Sequence, residues 1–217
     1  MAKKKRSIAE KMGSTRVLLE NVVADDIKSV LLNFGYDDAS FDFGKQLFTT
    51  GDSLIQKRKE LFGDQLIATR KLNAKEKEAY NYYMDNVKLS KVALTGFDGM
   101  MAKLGILGDR DDSFEGWVSQ ARQYYKNAQN DPNILQKLTK VGLTLEKLQA
   151  GDQLLDQLEK LKSEREDAKG KAQTATKDRD KALDDLFAWA SALKQVCRVA
   201  FKDNLQILER LGILVPS

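Results

Sequence analysis

The segment GDRDDSFE, which begins at Gly108, concentrates side chains that could bind a divalent cation. Its oxygen donors are Asp109, Asp111, Asp112 and Glu115. Carboxylate oxygens are the ligands that Ca²⁺ and Mg²⁺ prefer. An EF-hand loop beginning at Asp109 would need glycine and glutamate where the chain has Phe114 and Gln120. The spacing therefore favours a helix cap and linker over a metal site.

The chain has no histidine and a single cysteine, Cys197. Histidine is the side chain best suited to proton transfer near neutral pH, so its absence makes acid–base catalysis of that kind unavailable. It also excludes His-based metal sites and a Ser-His-Asp triad. One thiol can form neither an internal disulfide nor a thiolate metal cluster, which suits a reducing compartment. The glycine segment TGFDGM at Thr95 lacks the lysine ending of a phosphate-binding loop. We therefore predict a cytoplasmic protein with no catalytic residue, cofactor or metal.

Basic residues cluster at the N terminus, at Lys3, Lys4, Lys5 and Arg6. The chain has 36 basic and 32 acidic residues, so these four side chains equal the whole net charge of +4. Residues 1–6 are predicted to be a disordered basic tail, which either is simply solvated or serves as a handle for nucleic acid. A local basic patch elsewhere is compatible with the balanced remainder. No apolar run approaches the roughly 18 residues that a membrane span needs, so no membrane-spanning helix is predicted.

Two arginines, Arg58 and Arg165, interrupt hydrophobic stripes at corresponding points of the two halves of the chain. An arginine in such a stripe must reach the surface or meet an acidic group, because burying it unpaired is costly. Either both side chains reach solvent beside a thin core, or the pair fixes helix register or receives an anionic partner. Together with the four basic tail residues, they are our candidate partner-binding residues.

A constant offset in residue number relates the two halves of the chain. Residues 88–107, KLSKVALTGFDGMMAKLGIL, reappear as residues 195–214, QVCRVAFKDNLQILERLGIL. The gapless alignment also pairs glycines: Gly35 with Gly142, Gly44 with Gly151, and Gly63 with Gly170. The echo indicates two copies of one helical unit.

A seven-residue spacing of apolar side chains predicts long helices. In the second half it comprises Leu154, Leu161, Ala168, Ala175, Ala182, Trp189 and Val196. This is the spacing of helices packed lengthwise as in coiled coils. We predict long helices over about 37–103 and 144–201, and shorter ones over about 7–33 and from a capping box at Asp112 to Asn130. Gly105 and Gly212 are predicted to end helices.

These patterns predict an all-α fold: an internally duplicated helical bundle with two long antiparallel, coiled-coil-like helices and shorter flanking helices. The repeats would span 7–107 and 108–217 within one elongated, pseudo-symmetric domain. Gly63 and Gly170 occupy equivalent points of the long helices, so a kink at one would recur at the other.

Three C-terminal segments carry a family resemblance: ATKDRD from Ala175, CRVAF from Cys197 and LERLGIL from Leu208. They resemble uncharacterised bacterial helical-bundle proteins, a resemblance that implies a bacterial cytoplasmic origin and no particular activity. We expect a non-enzymatic structural or protein-interaction protein, a scaffold or assembly factor that holds a protein partner or self-associates. The alternative is a nucleic-acid or ribosome-associated accessory protein that acts through the basic tail.

Overall fold

A computed structural model describes residues 6 to 213, and this part of the chain is all-α, as predicted, without a strand. Its α-helices are α1 (Ile8–Asn21), α2 (Asp25–Leu31), α3 (Asp38–Ala93), α4 (Asp98–Lys103), α5 (Phe114–Asn130), α6 (Pro132–Thr139), α7 (Leu145–Ala200) and α8 (Leu205–Arg210). A short 3-10 helix, Leu32–Phe34, follows α2. The two long helices, α3 and α7, pack closely against each other. None of the described helices is apolar over enough length to cross a membrane.

Two predicted helices are shorter than the sequence pattern indicated. Helix α3 ends at Ala93 instead of near residue 103, and Gly96 in the following turn has φ 81°, a left-handed conformation foreign to an α-helix. The predicted helix over 7–33 is divided because Ala24 is extended, with ψ 139°, between α1 and α2. By contrast, α7 agrees with its prediction and runs without a break through Gly170.

Glycines and short polar side chains mark the helix ends. Gly105 and Gly212 each have φ 67° directly after a short helix, as the sequence predicted. The cap of α5 is Ser113 rather than Asp112, since its hydroxyl accepts a hydrogen bond from the Gly116 amide at 3.1 Å. Helix α6 was not predicted. It starts at Pro132, which suits a first helical turn because the missing N–H is not needed there.

Helix boundaries in the second half of the chain repeat those of the first half. When the halves are aligned without a gap, α3 and α7 coincide at both ends, and so do α4 and α8. Helices α5 and α6 begin within one residue of the positions equivalent to the starts of α1 and α2. The turns before the long helices also match, because Gly35 has φ 81° and Gly142 has φ 80°.

The chain divides into two compact units. Within the described residues, unit 1 comprises 6–62 and 171–213, and unit 2 comprises 63–170. The division falls at Gly63 and Gly170, inside α3 and α7, which continue as helix on both sides. Each unit is therefore assembled from segments of both halves of the sequence.

In unit 1, α1, α2 and α8 cover the first part of α3 and the last part of α7. Its main core includes Leu18, Ile27, Leu31, Phe41, Leu193, Cys197 and Leu211, all buried. Gly44 lies against the Trp189 ring, and Gly51 lies against Leu183. Because increasing residue numbers in α3 meet decreasing numbers in α7, the two helices run antiparallel in this unit.

In unit 2, three tyrosines form a polar network inside the core. Tyr83, Tyr124 and Tyr125 are fully buried, with ring centroids 5.1 to 6.2 Å apart in edge-to-face pairs. The Tyr124 and Ser90 hydroxyls are 2.7 Å apart. Arg110 Nη1 donates to the Tyr83 hydroxyl at 3.0 Å. These buried phenols have hydrogen-bond partners, as burial of polar groups requires.

Candidate functional site

A cleft of about 480 Å³ opens between α1 and α3 in unit 1, with one side chain contributed by α7. We call it the unit 1 cleft. It is lined by Ile8, Ala9, Met12, Gly13, Arg16, Asp52, Ile55, Gln56, Arg58, Lys59 and Arg179. Its volume lies within the range of roughly 300–1,000 Å³ typical of ligand pockets. Four cationic side chains and one carboxylate thus surround three larger apolar ones.

Helical spacing brings these residues together. On α3, Asp52, Ile55 and Lys59 lie on one face because they are spaced by three and four residues. On α1, Gly13 leaves the cleft open, since a β-carbon there would meet no atom within 4 Å.

The cations are divided between two ends of the cleft. Arg16 stands over the Phe48 ring at 5.5 Å, one turn before Asp52 on α3. The antiparallel register that sets Gly51 against Leu183 places Arg179 across from Ile55, within one turn of Arg58 on α3. Arg58, Lys59 and Arg179 therefore form the more basic end.

Most of this positive charge lacks a carboxylate partner. Within residues 6 to 213, Arg16, Arg58 and Lys59 form no salt bridge, whereas Arg179 pairs with its neighbour Asp180 at 2.5 Å. The Arg58 guanidinium lies over the Phe62 ring at 4.8 Å, and its Nε is buried without a hydrogen-bond acceptor among these residues. A buried donor without an acceptor costs about 1–3 kcal/mol, so holding the Arg58 side chain in this position carries a cost.

Unit 2 contains a cleft at the equivalent place, which we call the unit 2 cleft. Its volume is about 610 Å³. Most of its lining positions align with lining positions of the unit 1 cleft when the two halves of the sequence are superimposed. These shared positions are Glu115, Ser119, Glu159, Lys162, Ser163 and Glu166. The helix positions are shared, and the side chains differ.

Charges in the unit 2 cleft are paired with one another. Lys162 binds Glu115 at 2.5 Å, and Arg122 binds Glu159 at 3.0 Å. Hydrogen bonding to Lys162 lowers the pKa of Glu115 from its usual value. Each cation that lines this cleft has an acidic partner within it.

Glu166 is paired as well, with a residue just outside the cleft lining. Arg165 forms a salt bridge with it, and that contact lowers the pKa of Glu166. The two clefts thus differ in the balance of their charges, and only the unit 1 cleft retains cations without a described partner.

Three sequence differences produce this contrast. Ile8 stands where unit 2 has Glu115, Ile55 where it has Lys162, and Lys59 where it has Glu166. Unit 1 therefore lacks the Glu115–Lys162 ion pair and has the opposite charge at the third position. An apolar floor and free cations replace an internal salt bridge.

The candidate residues from the sequence lie in different surroundings. Arg58 lines the unit 1 cleft, and Arg165 lies beside the unit 2 cleft with its Nε also buried without an acceptor among the described residues. Arg6 is exposed two residues before Ile8, which lines the unit 1 cleft. The remaining tail candidates, Lys3, Lys4 and Lys5, lie outside the described residues.

Sequence reasoning missed Arg16, Lys59 and Arg179. These charged side chains lie on three helices, and only tertiary packing gathers them around one cleft. The alignment of the two halves of the sequence did contain a usable signal, because Lys59 aligns with Glu166. A reversal of charge between otherwise equivalent positions would have distinguished this cleft.

The acidic segment after Gly108 forms helix-cap contacts. Asp111 accepts a hydrogen bond from the Ser113 amide at 2.8 Å. Hydrogen bonding to the side chain and to the amide of Ser113 lowers the pKa of Asp111. Within the part of the chain that the structure describes, no group of three or more His, Cys, Asp or Glu residues could hold a metal ion. The geometry of this segment therefore supports the helix-cap interpretation, and it offers no support for a divalent-cation site.

The Cys197 thiol is fully buried in the core of unit 1, and burial raises its pKa to about 11. Because the thiolate is the reactive form, we expect the folded protein to react with a thiol reagent such as DTNB at least about 100-fold more slowly than urea-unfolded protein at pH 7.5. Absorbance at 412 nm after mixing measures both rates. Equal rates would mean that the thiol is accessible in the folded state.

Comparisons of the chain with protein-family models, with curated proteins and with solved structures found no match. The chemistry of the two clefts is therefore the basis for assigning a function.

Proposed function

We propose that the protein is a non-enzymatic interaction protein, a scaffold that holds an acidic protein partner in the unit 1 cleft. The observation that carries this proposal is the excess of cations without described partners around an apolar floor. Such a combination suits a protein interface, where arginine and methionine are enriched relative to the rest of the surface. The unit 2 cleft supports the assignment as an internal comparison, because the same helix positions there neutralise one another.

We further propose that the chain is a duplicated helical unit with coiled-coil-like packing of its long helices. The coincidence of the helix ends of α3 with α7, and of α4 with α8, supports this proposal. The paired left-handed glycines and the two equivalent clefts point the same way. In this view the two copies differ in their clefts, because one has uncompensated charge and the other has internal ion pairs. A cytoplasmic location remains part of the proposal, in keeping with the single free cysteine.

Site-specific photo-crosslinking tests the interaction role. The photoreactive amino acid p-benzoylphenylalanine replaces Gln56 in the unit 1 cleft or, as the matched control, Ser163 at the equivalent position of the unit 2 cleft. Both residues are exposed, so the substitution should leave the fold intact. We expect irradiation of the source cells to give a discrete protein adduct at position 56 and none at position 163. Adducts of equal yield at both positions, or none at either, would contradict the proposal.

The tail-mediated alternative has its own supporting observation. Burial lowers the pKa of Lys194, and the nearby positive charges of Arg6 and Arg198 lower it further. Arg6, Lys194 and Arg198 therefore bring positive charge together in unit 1. A nucleic acid bound there would depend on electrostatic attraction and on displaced counterions.

Deletion of residues 2–6 separates the two roles. We expect nucleic-acid retention, if present, to be weak, to fall steeply between about 50 and 200 mM salt, and to be nearly abolished by the deletion. The main protein partner should persist, because its contacts lie in the cleft. Pull-downs from native lysate with full-length and tail-deleted protein provide the measurement. If the deletion removes every partner while helical content stays constant, the tail-mediated function replaces the scaffold function.

A further inference from the structure

We infer that the unit 1 cleft recognises a short acidic peptide segment with an apolar anchor, its carboxylates bound at the Arg58, Lys59 and Arg179 end and its apolar side chain on Ile8, Met12 and Ile55. The inference rests on the proposed interaction function and specifies the partner's chemistry.

The charge of the basic end determines the ligand's polar part. Arg58 and Arg179 are guanidinium groups, whose planar donors bind carboxylates in a bidentate manner. Lys59 is exposed and adds a mobile ammonium group at the rim. Only Arg179 has an acidic partner within the described residues, and that partner is the adjacent Asp180. Two closely spaced carboxylates would supply the missing counter-charge.

The apolar floor determines the other part of the ligand. Met12 is 8% exposed, Ile55 is partly buried, and Ile8 is 40% exposed. Covering this surface with an apolar side chain would remove it from water, a gain of roughly 25 cal/mol per Å². An inorganic anion would leave these apolar side chains exposed to water. The combination therefore favours a ligand that carries charge and apolar surface side by side.

Two features favour a peptide over a nucleic-acid strand. Among the described residues no aromatic side chain lines the cleft, so bases would find no ring there on which to stack. At the other end, the Asp52 carboxylate would repel a phosphate backbone that continued along the cleft. The cations form a local cluster, whereas strand binding uses a longer basic track.

The length of the cleft limits the segment. From Asp52 to Lys59, α3 advances about 10 Å at 1.5 Å per residue. That distance corresponds to about two turns of a helical ligand or three residues of an extended one. The recognised element is therefore short, with acidic and apolar residues adjacent in its sequence.

Binding of a defined peptide tests the inference. The probe is a fluorescein-labelled peptide of three Glu-Glu-Leu-Ala repeats, and the control peptide has Gln in place of every Glu. Fluorescence anisotropy with the full-length protein at about 50 mM salt should show binding of the Glu peptide at least tenfold tighter than binding of the Gln peptide. Replacing Lys59 with the residue type of its unit 2 counterpart, Lys59→Glu, should weaken Glu-peptide binding at least tenfold.

A graft of the unit 2 side chains provides the decisive variant. The triple change Ile8→Glu, Ile55→Lys and Lys59→Glu installs the residue types of the unit 2 cleft and its internal ion pair. We expect it to abolish peptide binding while the circular dichroism spectrum stays unchanged. The matched control, Lys162→Gln, removes a cation from the unit 2 cleft and should leave the affinity within twofold.

The other outcomes are distinct. Equal binding of both peptides, an unaffected Lys59→Glu variant, or tighter binding of a twenty-residue oligothymidine strand would overturn the inference. If the peptide fails to bind while position 56 still crosslinks to a protein, the inferred acidic-peptide chemistry of the partner is wrong, and the proposed interaction function stands. Peptide binding without any crosslinked protein in cells would instead contradict the interaction function.

Discussion

Replacing Gly44 or Gly151 with alanine is expected to lower the free energy of unfolding by about 2–3 kcal/mol in each case. A β-carbon at Gly44 would overlap the Trp189 ring, and one at Gly151 would overlap the Tyr125 ring. Both positions are far inside van der Waals contact, and packed rings have little freedom to move away. Urea unfolding followed by circular dichroism measures the change.

Two other helical glycines are the matched controls. Gly63 and Gly170 have no atom within 4 Å of the position a β-carbon would take. Alanine at either site should therefore raise the free energy of unfolding by about 0.5–1 kcal/mol, since glycine is a poor helix former. The two pairs should thus change stability in opposite directions. Destabilisation of similar size at all four positions would show that close ring packing is not what requires Gly44 and Gly151.

Removing the Tyr124 hydroxyl is the second large change that we expect, with a loss of about 1–3 kcal/mol in the free energy of unfolding. The Tyr124→Phe substitution would deprive the Ser90 hydroxyl of its partner at 2.7 Å, and Ser90 is fully buried. The double variant Ser90→Ala, Tyr124→Phe should cost less than the sum of the two single changes, because neither hydroxyl is then left without the other.

Tyr82 provides the comparison for this measurement. Its hydroxyl donates to the Lys147 carbonyl oxygen at 3.0 Å in an exposed setting. Tyr82→Phe should cost less than about 1 kcal/mol, because water can replace the lost partner. Additive effects of the Ser90 and Tyr124 substitutions would contradict an energetic coupling between these hydroxyls.

Periodicity accounts for the parts of the fold that could be predicted. The seven-residue spacing located α7 almost to the residue, and the paired glycines located the turns at Gly35, Gly105 and Gly142. The end of α3 could not be read in the same way, since apolar residues continue past the break at Gly96. Helix α6 was missed because its eight residues are too few to show a seven-residue repeat of apolar side chains.

Only part of the candidate site could be found in the sequence. Arg58 was noticeable because it replaces an apolar residue in the stripe of a long helix. Arg16 was not, because charged residues on exposed helix faces are common and carry no sign of what packs beside them. Arg179, whose side chain is only 17% exposed, was not singled out either, although it interrupts the hydrophobic stripe of α7 as Arg165 does. A hydrophobic stripe also shows which face of a helix is buried without showing which helix covers it. The assembly of each unit from both halves of the sequence was therefore not predicted.

The division into units has a consequence for the order in which the protein can fold during synthesis. Unit 2 is one continuous stretch, residues 63–170, whereas unit 1 needs residues 6–62 together with 171–213. During synthesis α1 and α2 leave the ribosome before α7, so at first they lack the segment of α7 that buries their apolar faces. Unit 2 can therefore fold before unit 1 is complete. During that interval the apolar faces of α1 and α2 are exposed, and exposed apolar surface is what chaperones bind.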